Sequence, residues 1–172
     1  MKYSNGTITT FAGNGVGAFG GDGGPVSSSS VNTPWKVIIS PGGDIYFSDT
    51  NNHRIRKVFT NGTITTIAGT GIANYNGDNI PATSATLSSP RGLALTAIGE
   101  LLIADSSNHR IRKIFTNGTM TTIAGTGTGA LGGDGGLATN TTLYSPYAVG
   151  VTSFQQWNYN NNSRNWSFGL QW

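Results

Sequence analysis

The segment NGTITTFAG at Asn5–Gly13 returns as NGTITTIAG from Asn61 and as NGTMTTIAG from Asn117, each step 56 residues long. A second segment, NHRIRKVFT at Asn52–Thr60, returns as NHRIRKIFT at Asn108–Thr116 with the same spacing. A fixed period of this size points to units that stack and bury their faces against one another. It overrides the single ordinary domain that 172 residues would otherwise suggest. Arrays of this kind serve more often as binding or assembly surfaces than as catalysts.

One unit reads as four short strands. In the second copy Arg91–Thr96 follows Pro90, Ala97–Gly99 turns, and Glu100–Asp105 is the next strand. Ser106–His109 turns again, Arg110–Phe115 is the third strand, and Asn117-Gly118 leads into the fourth at Thr119–Gly125. Asn-Gly predicts a type I′ turn with both residues at positive φ. The continuous apolar runs Val37–Ile39 and Leu101–Ala104 predict strands covered on both faces. No segment has helical periodicity. The fold class is therefore all-β: β-propeller blades of four-stranded antiparallel meanders in three 56-residue repeats, an incomplete propeller within one chain. Residues 1–153 hold the repeats, and 154–172 form a divergent aromatic and Asn-rich hairpin that completes the third.

The motifs TIAGTG (Thr66–Gly71 and Thr122–Gly127), GGDGG (Gly20–Gly24 and Gly132–Gly136), PRGLAL at Pro90 and IADSSNHRIRK at Ile103–Lys113 resemble the NHL-repeat family of β-propellers. The resemblance covers about residues 5–153. It implies a radial propeller, commonly six-bladed, serving as a platform for protein, glycan or RNA. A minority of such propellers are enzymes that hold metals by histidines in the central channel. The third copy departs from the pattern: Asn161 stands at the register of Asp49 and Asp105, and Asn165 at that of His53 and His109. Trp157 with Tyr159, and Trp166 with Phe168, Leu170 and Trp172, alternate along the closing hairpin and give it an aromatic face.

Three blades do not close a ring. The chain opens on a fourth strand, Thr7–Ala12, and ends after a third, so a strand edge is expected to pair with another copy. A two-fold dimer of six blades, an open filament and a piece of a longer propeller all satisfy this condition. The expected assembly residues are Thr7, Ile8 and Phe11 together with the hairpin aromatics Trp157, Tyr159, Trp166, Phe168, Leu170 and Trp172.

The repeated Asp49, Asn52, His53 and Arg54, matched by Asp105, Asn108, His109 and Arg110, read as a turn network in which His bridges to the next strand. Arg54, Arg56 and Lys57, with Arg110, Arg112 and Lys113, are a candidate basic face for RNA, set against a solvated strand whose arginine stems cover apolar surface. The latter is favoured, because the third copy breaks the stripe and a net charge of +3 is mild. The GGDGG loops read as turns, since one Asp supplies too few oxygens for a hard cation. With two histidines and no cysteine, no metal and no cofactor is expected. The inner strands offer only Trp, Lys, Arg and Tyr as reactive or polar groups, which argues against an enzyme. Sequons at Asn5, Asn61, Asn117, Asn140, Asn161 and Asn165, with low charge, suit an extracellular setting. Met1–Thr10 carries no secretory signal and no run is long enough to span a membrane.

Overall fold

A computed structural model describes residues 6–151. Two antiparallel meanders dominate. The first sheet runs β1 (Pro34–Ile39), β2 (Ile45–Asp49), β3 (Arg54–Val58), β4 (Ile64–Ala68) in sequence order. In the second, β5 (Ile80–Pro81) lies outside β9 (Thr119–Ala124), followed by β8 (Arg110–Ile114), β7 (Leu101–Asp105) and β6 (Pro90–Leu95). No α-helix occurs among the described residues; the connectors carry only short 3-10 turns. The two sheets stack with β6 against β1 and β2.

Their hairpins share one device. Phe59 N–H donates to Thr63 O, Gly62 N–H donates to Phe59 O, and Gly62 sits at φ 83°. The same pattern recurs at Phe115–Thr119, with Gly118 at φ 84°. It is a three-residue loop, a type I turn followed by a left-handed glycine, rather than the expected type I′ pair. Asn61 and Asn117 stay at negative φ because their carboxamide oxygens accept the Thr63 and Thr119 N–H groups.

Each connector is stitched to the sheet that follows it. Gly23 N–H donates to Ile64 O, and Ile64 N–H returns to Gly24 O. One repeat on, Ile80 and Pro81 pair with Met120 and Thr119 as β5. The outermost strand therefore does not end in a bare edge. The connector also covers the outer half of its sheet's face. Val26 packs on Phe47, Val58 and Ile64 in the first unit. Ala82, Ala85 and Leu87 do the same for Leu101, Ile103 and Met120 in the second.

The inner half of that face is covered by the preceding sheet. Leu93 is 1% exposed because Ile38, Tyr46 and Ile55 belong to the same inter-sheet core. Val37, its counterpart one repeat earlier, is 57% exposed, and Ile39 is 67% exposed. The expectation that Val37–Ile39 is covered on both faces is thus corrected: the described residues place no sheet in front of β1. Leu101–Ala104 is buried throughout, as its apolar run implied.

Thr7–Ala12 forms no strand, and Ile8 is exposed. The meander pairs a fourth strand with a third, and no strand among the described residues forms a ladder with Thr7–Ala12. Tyr147–Val151 likewise joins no ladder. The connector before it nonetheless folds as its predecessors do: Gly125 N–H donates to Ala138 O, and Leu143 joins the core of Ala104, Ile111 and Ala124. The closing hairpin, with Trp157, Tyr159, Trp166, Phe168, Leu170 and Trp172, lies outside the described residues, as do Asn5, Asn161 and Asn165.

Candidate functional site along the inner strands

Each inner strand begins with a proline and a bulge. The β1–β2 register slips between Pro34 and Val37, and the β6–β7 register slips identically between Pro90 and Leu93. The extra residue re-aims the side chain after the proline. Those side chains are Trp35, Arg91 and Tyr147, each 56 residues from the next. They meet in one cluster. The Arg91 guanidinium lies 4.2 Å from the Tyr147 ring centroid and 5.3 Å from that of Trp35, and the two rings are 6.2 Å apart, tilted by 55°.

Gly92 lets the third segment approach: a Cβ there would stand 2.6 Å from Ala148 Cα and 2.9 Å from Tyr147 O. Trp35 and Tyr147 remain about half exposed. The Arg91 backbone carbonyl accepts from Ser48 Oγ at 2.8 Å, but its side chain makes no hydrogen bond or ion pair with any described residue, and its buried Nε is without a partner.

Apart from Lys36, the other cations of the repeats are engaged. Arg56 and Arg112 are fully buried. Arg56 donates to Asp22 at 2.7 Å, Asp49 at 3.1 Å and Gly20 O at 3.2 Å. Arg112 donates to Gly77 O at 2.8 Å and Asp78 at 3.2 Å, and stands 3.6 Å from Asp105. Arg54 covers the Phe19 ring at 3.7 Å, and Arg110 covers Tyr75 at 3.8 Å, while each donates to a carbonyl, Thr70 O and Thr126 O. Lys57 pairs with Asp44 and Lys113 with Glu100.

The candidate basic face is therefore divided, and the solvated-strand reading is corrected for Arg56 and Arg112. Strand alternation turns both inward, where loop carboxylates meet them. The loop Asp of GGDGG is also more than a turn residue: Asp22 and Asp78 are the loop halves of these ion networks. Their persistence while the surrounding glycines change, as in NGDN at Asn76–Asn79, is the signal that could have found them. Asp134 has no ion pair among the described residues; Phe168 stands at the register of Arg56 and Arg112.

The histidines are latches. His53 and His109 both adopt φ 54°, and their Nδ1 atoms accept N–H from Ser89 at 3.1 Å and Ser145 at 3.0 Å. His53 is held below its ordinary pKa by burial, and then by Arg54. The expected turn network, with His bridging to the next unit, is present. Asn52 donates to both oxygens of Asp49, and Asn32 N–H donates to Asp49 at 2.7 Å. Asn61, Asn117 and Asn140 are exposed on turns.

Burial pushes the Asp105 carboxyl up to about 6, against the Ser88 N–H, Asn108 and Arg112, which favour its charged form. The folded chain thus holds this proton to higher pH than the unfolded chain, whose carboxyl titrates near 3.8. The resulting stability is complete below pH 3.8 and is lost as pH rises through 6, up to about 3 kcal/mol in all. Urea unfolding at pH 4 and pH 7 should therefore bring the unmodified chain down relative to D105N. An unchanged difference between the two proteins refutes the assignment.

The sequence profile described as NHL repeat matches residues 31–58 and 87–114, the two stretches that hold the three inner strands of each sheet and the His latch. The chain carries NHL repeats. Its NHL units are 36% identical over 100 residues to Protein SUPPRESSOR OF QUENCHING 1, chloroplastic, of Arabidopsis thaliana, covering 58% of this chain and 9% of that protein. They are 38% identical over 94 residues to Teneurin-4 of Homo sapiens, covering 47% of this chain and 3% of that one.

Among solved structures, a Bacteroides thetaiotaomicron protein of unknown function matches with a TM-score of 0.61 at 22% identity, over 72% of this chain and 32% of that chain. An auxiliary nutrient binding protein from the same organism matches at 0.57 and 21%, over 68% and 32%. These last two likenesses are of fold, and the fold is propeller-like. The NHL chain spans less than a tenth of these curated relatives and about a third of these solved chains.

Proposed function

We propose that this chain is a non-enzymatic interaction and assembly module whose NHL-type blades are completed by other copies of the same chain, in a closed six-bladed dimer or an open filament. The uncovered inner half of the first sheet carries this reading. Val37 and Ile39 occupy the register at which Leu93 and Leu95 pack against a preceding blade, so the surface that fits them is another blade. A binding role suits the polar groups as well, since both imidazole Nδ1 atoms are already acceptors for backbone N–H.

Light scattering after size exclusion tests the proposal. The unmodified chain should run as a dimer or larger species, and V37D/I39D should run as a monomer. A monomeric unmodified chain at micromolar concentration overturns self-assembly. A second reading then stands, favoured by the small share of its relatives that the chain spans: the covering blade belongs to the same, longer polypeptide, and the propeller binds protein or glycan.

A further inference from the structure

The cluster at the head of the inner strands is not explained by packing. Of the cationic side chains among the described residues, only Lys36 and Arg91 lack both a carboxylate and a carbonyl partner, and they sit on neighbouring inner strands. The six carboxylates other than Asp134 are committed, to Arg56 and Arg112 in four cases and to Lys57 and Lys113 in two. Arg91 is nonetheless fixed, because the rings of Trp35 and Tyr147 lie against it. Stacking of this kind orders a guanidinium while leaving its N–H edge free for a planar, two-oxygen acceptor.

From this we infer that Trp35, Arg91 and Tyr147 form a binding site for an acidic sugar unit, a pyranose ring bearing a carboxylate. The Nη1–Nη2 end of the guanidinium, away from the buried Nε, takes the carboxylate, and the half-exposed aromatic rings take the C–H faces of the ring and of its neighbour. One ordered cation between two aromatic surfaces matches one charge per flat, weakly polar ring. An acidic peptide brings the charge without such a ring. The site lies within a single copy, built by the residues that follow Pro34, Pro90 and Pro146, so it does not depend on how copies assemble.

Titration calorimetry of the full chain with tri-galacturonate tests this inference, with its fully methyl-esterified form and triglutamate as comparison ligands. Binding with a dissociation constant below about 1 mM is expected for the acid, and weakening of at least about tenfold for the ester and triglutamate. R91Q should weaken binding by a similar factor while keeping the thermal unfolding midpoint. If R91Q does not fold, W35A decides, because Trp35 is half exposed and its loss leaves the core intact. Absence of tri-galacturonate binding overturns the site, as does an ester or triglutamate that binds as well as the acid, or a folded R91Q or W35A with undiminished affinity.

Discussion

Replacing Arg56 by Ala should destabilise the chain by about 3–5 kcal/mol, the range seen when one partner of a buried ion pair is removed. The guanidinium is fully buried and bridges Asp22 in the connector to Asp49 on the second strand. Removing it strands the Asp49 carboxylate with no route to water. The cost comes from that orphaned charge more than from lost attraction. Accordingly, D49N/R56M should recover most of the loss, because it removes charge from both sides at similar volume. Denaturant unfolding of the three variants measures this directly. An R56A chain within about 1 kcal/mol of the parent would mean that the network is open to solvent.

Leu93→Ala should cost about 2–5 kcal/mol, through lost apolar transfer and the cavity left between the two sheets. Val37→Ala, the same substitution region one repeat earlier, should cost less than about 0.5 kcal/mol in dilute, monomeric chain. The pair works as an internal comparison, since register and strand are equivalent and the sites differ in the covering blade and, by one methylene, in the side chain removed. Thermal unfolding at two protein concentrations separates the cases. Equal costs at both sites under monomeric conditions would mean that Val37 is covered after all.

The period and the meander were legible in the sequence because strand length, Asn-Gly spacing and apolar runs all repeat with it. The order of the four meander strands, the hairpin positions and the His latch followed, whereas the fifth strand β5 outside β9 was not anticipated. What the residues could not reveal was which side of β3 faces inward at Arg56. RIRK looks like a solvated strand until loop carboxylates arrive from 34 residues upstream, and Asp22 gives no local hint of its reach. Val37–Ile39 failed for the opposite reason. The run has the composition of a doubly covered strand, but coverage is a property of the neighbour, and the described residues hold no neighbour on that side. The inner cluster was within reach: Trp35, Arg91 and Tyr147 share the position after a repeated proline, and only their convergence, with a bulge after Pro34 and Pro90, had to be supplied by the structure.

The stitching of each connector to the sheet after it has a practical consequence for where this chain divides. The natural module does not start at the proline of the inner strand. It starts at the glycine that follows a fourth strand, giving modules 13–68 and 69–124, each with its own hem already sewn along the outer margin. Cutting before Gly69 would release a module with its margin intact, whereas cutting before Pro90 would strip Met120 and Thr119 of their outer partners Ile80 and Pro81, leaving β9 paired on one side only. Duplication, recombination or deliberate grafting of such modules is therefore expected to respect the first boundary and to fail at the second.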